Sequence, residues 1–158
     1  MSNLQTLNKV VDIAEKRRDE ARAALAQQQR ELQIANDQLQ QLQTYAQEAH
    51  QRWMTRSSTA GVDAQQLFHQ RQFMAKIDHA LEFQRGVIAN REALIERSQG
   101  QLMAAERDVA GLRKYTERKL QAAQQIAQRQ EQKATDEMAL SIHLRQSLAQ
   151  AQAQGMRT

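Results

Sequence analysis

Apolar and small residues recur along the first third of the chain at alternating steps of three and four. The series runs Leu4, Leu7, Val11, Ala14, Arg18, Ala21, Leu25, Gln28, Leu32, Ala35, Leu39, Leu42, Ala46, Ala49 and Trp53, interrupted only by Arg18 and Gln28. Such a step averages 3.5 residues, so the stripe stays on one face only if the helix winds around a partner helix. A second series follows. Leu67, Met74, Leu81, Ile88, Ile95, Leu102 and Val109 recur every seven residues, with Ile77, Ala105 and Leu112 at the companion position beside the polar Gln70, Gln84, Arg91 and Ser98. The pattern therefore predicts an all-α chain: a long antiparallel two-helix coiled coil, or helical hairpin, with a longer second helix.

The break between the two series lies between Thr55 and Ala64, where Ser and Thr cluster, Gly61 can take a positive φ, and Asp63 stands three residues before Gln66 as a capping box. The predicted helices cover about 4–56 and 63–150, with the turn at about 57–62 and residues 1–158 forming a single hairpin. Gly86, Gly100 and Gly111 are isolated inside the second series, where a glycine weakens a helix without ending it. A turn centred on Gly61 and Val62 makes facing residue numbers sum to 123. Ala35 then faces Ile88, Ala21 faces Leu102, Ala14 faces Val109, Leu42 faces Leu81 and Ala49 faces Met74. Small meets large in most of these layers, which a close-packed seam requires. A slip of one heptad is the competing register. The arms are unequal, at roughly 80 Å and 130 Å for 1.5 Å per residue, so the C-terminal stretch from Leu120 has no partner in the hairpin.

Composition agrees with a thin seam. There is no proline, only five glycines and 4% aromatic residues, so the turn-makers and bulky side chains of a globular core are scarce. No cysteine is present, which removes disulfides and thiolate metal sites and suits a reducing cytosol. Net charge is +4, yet acidic and basic residues interleave, as in Glu15-Lys16-Arg17-Arg18-Asp19-Glu20, so a solvated helix surface is expected rather than a nucleic-acid site. No window approaches the ~20 apolar residues of a membrane span, and the first residues lack an apolar signal core. A soluble chain outside the general secretion route is expected.

Candidate chemistry is sparse. His50, His69, His79 and His143 form no i, i+4 pair, and no glycine-rich phosphate loop or nucleophile elbow occurs. Paired carboxylates such as Asp136-Glu137 lie on a helix expected to be exposed, with nothing to desolvate them. No catalysis, cofactor or metal is expected. Two stretches suggest partners instead. Phe73, Ile77, Ala80 and Gln84 make one stripe near Phe68 and Phe83; Ile77 and Gln84 belong to the predicted seam, Phe73 flanks it, and Phe68 and Phe83 should be more exposed. Clustered exposed aromatics mark docking surfaces, although the same residues could simply shield the turn end. In Arg113 to Glu137, six basic residues (Arg113, Lys114, Arg118, Lys119, Arg129, Lys133) outnumber Glu117, Glu131, Asp136 and Glu137, so most of the positive excess is expected there.

The chain also resembles the FliJ family of flagellar type III export proteins, which is similar to the stalk proteins of injectisomes. The likeness runs through Leu4-Gln5-Thr6-Leu7, Ala14-Glu15-Lys16, Asp19-Glu20-Ala21, Leu42-Gln43-Thr44-Tyr45 and Gln70-Arg71-Gln72-Phe73 to Gln84-Arg85. Its most specific part is Gln130-Glu131-Gln132-Lys133-Ala134-Thr135-Asp136-Glu137, followed by Met138-Ala139. The resemblance implies a cytoplasmic, non-catalytic component at the flagellar base, peripheral to the membrane through protein contacts. Its implied partners are the hexameric flagellar export ATPase, which it would stimulate, the export gate protein, and export chaperones. It further implies a gate contact through Phe73, Ile77, Ala80 and Gln84, where the polar Gln84 departs from an apolar dock. Gln132, Lys133, Asp136 and Glu137 would meet the ATPase ring. The alternatives are a basic coiled-coil module for nucleic acid or anionic membrane, and a self-associating structural rod.

Overall fold

The computed structural model describes residues 3–156, which form two helices, α1 (Asn3–Ala60) and α2 (Ala64–Gly155), with no strand among the described residues. Helix α1 runs on to Ala60, past the expected end near residue 56. The hydroxyls expected to break it are absorbed by its own backbone. Ser57 donates to the Met54 carbonyl at 3.1 Å, and Ser58 and Thr59 both donate to that of Thr55 at 2.9 Å. Such back-bonding keeps Ser and Thr within the last turn of a helix.

The turn proper is Gly61-Val62-Asp63. Gly61 takes φ 73°, the left-handed conformation that ends a helix at little cost only when no Cβ is present. Asp63 then caps α2. Its Oδ1 accepts from the Gln66 amide at 2.7 Å, and the Gln66 side chain reaches back to the Asp63 amide at 3.4 Å, the reciprocal capping box foreseen from the sequence. Helix α2 continues to Gly155 without a break at Gly86, Gly100 or Gly111.

The helices contribute to two compact units, one of Ile13–Val109 and one of Met1–Asp12 with Ala110–Thr158. In the first, contacts between the arms run in opposite order along the two helices. Glu31 meets Arg91, Gln38 meets Gln84, and Tyr45 meets Phe73. The arms are therefore antiparallel. Buried Ala49, Ile77 and Leu81 cluster with Leu39, Leu42, Ala46 and Met74, which are the layers Ala49–Met74, Ala46–Ile77 and Leu42–Leu81 of the register summing to 123. A one-heptad slip would put Leu67 or Leu81 opposite Ala49 in place of Met74.

Burial follows the seam. Ala14, Ala35, Ala49, Ile77, Leu81, Gln84 and Val109 are buried, and each stands at a predicted seam position. Ala14 and Val109, which the register sets opposite each other, are among them. Small residues on α1 admit large ones from α2, and a buried Ile or Leu contributes about 1.5–3 kcal/mol. The seam also carries polar groups. Gln28 Oε1 and Gln70 Nε2 are buried with no hydrogen-bond partner among the described residues, and Arg18 turns aside to Asp19 at 3.0 Å.

In the second unit Leu7, Val11, Leu112 and Thr116 are half-buried, continuing both stripes. The Thr116 hydroxyl donates to the Leu112 carbonyl at 2.8 Å. From Glu117 to Met156 every described residue is exposed, so full exposure starts three residues before the expected Leu120.

Candidate functional site

Two surfaces come from the residues singled out above, one in each unit. The first is the stretch of α2 between Phe73 and Gln84. Helical periodicity sends Ile77 and Gln84 into the seam, at 6% and 8% exposure, while Phe73 stays 38% exposed and Ala80 half-buried at the rim. The four residues of the predicted gate contact thus do not share one accessible stripe. Ile77 packs within the cluster around Ala49 and Leu81. The Gln84 side chain donates from Nε2 to the Ala35 carbonyl at 2.9 Å and to Gln38 Oε1 at 3.2 Å.

What remains open on this side is a groove of about 700 Å³ lined by Leu42, Ala75, Lys76, His79, Ala80, Phe83 and Gln84. Phe83, 75% exposed, is the most solvent-facing of the three phenylalanines; Phe68 is 57% exposed. An aromatic ring held in water beside apolar Leu42 and Ala80 is the arrangement that an incoming apolar side chain would cover. Lys76 and His79 supply donors at its edge. Phe83 lies outside the predicted seam, and its pairing with Leu42 is invisible to local periodicity because it needs both arms in register. Phe73 is on the flank and meets Tyr45 edge-on, with centroids 6.1 Å apart and planes at 75°, a favourable geometry for two aromatic rings. Tyr45 was not singled out from sequence; its position one residue before the seam residue Ala46 is the signal that would have found it.

The second surface is the exposed part of α2. Gln132, Lys133, Asp136 and Glu137 all lie on it and all face solvent. Gln132 with Asp136, and Lys133 with Glu137, are i, i+4 pairs on adjoining faces. Farther back, Lys119 Nζ lies 5.5 Å over the Tyr115 ring, a cation–π contact. Counted along the whole sequence, residues 1–112 hold 14 basic and 14 acidic side chains, and residues 113–158 hold eight against four, so the entire net charge of +4 falls in the C-terminal stretch. Within Arg113–Glu137 the excess is two, half of the total rather than most of it; Arg145 and Arg157 supply the rest. Apolar side chains are exposed here too, among them Leu120, Ile126, Met138, Ile142 and Leu148. No group of His, Asp and Glu among the described residues could hold a metal ion, and no described helix is long and apolar enough to cross a membrane.

Antiparallel paired helices are a geometry that many coiled coils share, so family identity rests on the sequence match. A family model, the flagellar FliJ protein, matches residues 3–154. The chain belongs to the FliJ family. FliJ membership implies a component of flagellar type III protein export. The match takes in both helices, the turn and all eight residues proposed to meet partners. No curated protein and no solved structure matches the chain.

Proposed function

We propose that this FliJ-family chain is the stalk component of the flagellar export apparatus. It links and stimulates the export ATPase ring without hydrolysing ATP, and it contacts the export gate and export chaperones from the cytoplasmic side of the membrane. The observation that carries this reading is the exposed helix from Glu117 to Met156. A single helix is marginal in water, and this one exposes apolar and charged residues together along about 60 Å at 1.5 Å per residue. A ring that surrounds it would cover both kinds of side chain. Gln132, Lys133, Asp136 and Glu137 are the proposed contacts with that ring, their interleaved charge favouring weak contact with several subunits over one tight grip.

For the gate contact, Phe73 and Ala80 offer surface, and Ile77 and Gln84 support it from within the seam. Phe83 joins them as the ring most open to a partner. The decisive experiment measures turnover of the purified flagellar export ATPase with and without this chain. A saturable rise is expected; unchanged turnover at saturating chain would remove the ATPase half of the proposal.

That residues 113–158 carry the whole net charge favours a second reading, a module that binds nucleic acid or anionic membrane. The two separate by salt. Phosphate binding falls steeply as salt rises, whereas ATPase stimulation that depends on apolar contact as well falls less.

A further inference from the structure

The polar groups inside the seam do a job that apolar side chains at the same positions could not. Gln84 and Arg91 occupy the same heptad position of α2, one heptad apart, and each reaches a polar residue of α1 that is likewise one heptad from the other. Gln84 Nε2 donates to Gln38 Oε1 at 3.2 Å and to the Ala35 carbonyl at 2.9 Å, and Arg91 meets the Glu31 carboxylate at 2.6 Å. The geometry points to Gln84 and Arg91 as a pair of register latches, positioning residues that fix how the two arms align.

Sterics and electrostatics together set the alignment. Each side chain of one helix sits in a hole formed by four residues of the other. In the observed register, Gln84 sits among Ala35, Gln38, Leu39 and Leu42, and Arg91 among Gln28, Glu31, Leu32 and Ala35. A slip that lowers the facing sum from 123 to 116 would place Arg91 among Ala21, Ala24, Leu25 and Gln28, with no carboxylate in reach. Gln84 would then find Glu31 and remain partnered. A slip to 130 would place Gln84 among Leu42, Tyr45, Ala46 and Ala49 and would also take Arg91 from Glu31 to Gln38. Arg91 therefore opposes both slips, and Gln84 adds a second barrier against one of them. Beyond the short Gly61 turn, a purely apolar seam with Ala and Leu in most layers has little to tell these registers apart.

The latch bears on the groove as well. Leu42 comes from α1 and Ala80 and Phe83 from α2, so a one-heptad slip would carry Leu42 about 10 Å along the other arm and dismantle that surface. This role goes beyond the export reading and does not depend on it, since register is measured without any partner.

The chain has no cysteine, so introduced pairs report register without background. Ala49→Cys is combined in turn with Met74→Cys (observed register), Leu67→Cys (sum 116) or Leu81→Cys (sum 130), and intramolecular disulfide yield is measured under mild oxidation. The otherwise unaltered chain should link only 49 to 74. Arg91→Leu should raise the 49–67 product about ten-fold, the worth of one lost charge-assisted bond, and should raise 49–81 as well, from the lower level that Gln84 still enforces. Gln84→Leu alone should raise only 49–81. Gln84→Leu with Arg91→Leu should raise both. The double variant should keep its helicity and unfold at an equal or higher urea concentration, because apolar replacements of seam polar groups forfeit specificity rather than stability. Off-register yields unchanged in the double variant, or a lower urea midpoint, would overturn the assignment.

Discussion

Replacing Ile77 by alanine separates a seam residue from a docking residue, because Ile77 belongs to the proposed gate contact yet is only 6% exposed. Its neighbours Leu42, Ala46, Ala49, Leu81 and Met74 form the best-defined part of the core. The change deletes three carbons from a nearly dry layer. At ~0.8 kcal/mol per buried methylene the transfer loss is about 2.5 kcal/mol. Measured costs of Ile→Ala run from about 2 to 5 kcal/mol, the upper values belonging to enclosed cavities. A two-helix seam is open at its flanks and water can fill the gap, so the lower part of that range applies. Trp53, the only tryptophan, lies half-buried on the same seam and reports this region alone. Urea unfolding followed by Trp53 fluorescence should show stability falling by about 2.5 kcal/mol in Ile77→Ala. Phe83→Ala, at a residue 75% exposed, should change it by less than about 0.5 kcal/mol. A loss below about 1 kcal/mol for Ile77→Ala, or equal losses for the two variants, would refute the assignment of Ile77 to the seam.

Three further outcomes follow from the turn and the exposed helix. Gly61→Ala meets no atom within 4 Å of the added Cβ, yet φ 73° alone should cost about 1 kcal/mol in the same urea titration. Asp63→Ala removes the 2.7 Å cap on the Gln66 amide and should cost about 1 kcal/mol, with Asp63→Asn close to the parent. Truncation after Thr116 removes no described residue with a buried side chain, so the Trp53 transition should stay in place while ATPase stimulation is lost; a shifted midpoint would show that the removed helix supports the seam.

The extent of agreement between sequence and structure has a physical basis. A 3-4 repeat is a statement about one helix face, and each residue on it either meets a partner or does not. The stripes were legible for that reason from Leu7 to Trp53 and from Gln70 to Leu112, although Leu4 and Leu67, expected to begin them, are exposed. The Gly61 turn and the Asp63 cap were legible because they depend on residues within one turn of each other. The register was legible too, because a short turn leaves few ways to align two arms.

Tertiary structure decided what lies across the seam. Whether Gln84 serves a partner or its own hairpin depends on the Ala35 carbonyl and Gln38, 49 and 46 residues away. Likewise Arg91 appeared only as a polar interruption until Glu31 came within 2.6 Å. The groove of Leu42, Ala80 and Phe83 exists only with both arms in place, since neither arm holds all three. Local periodicity sets which side chains point inward; the opposing helix sets which polar atoms they find there.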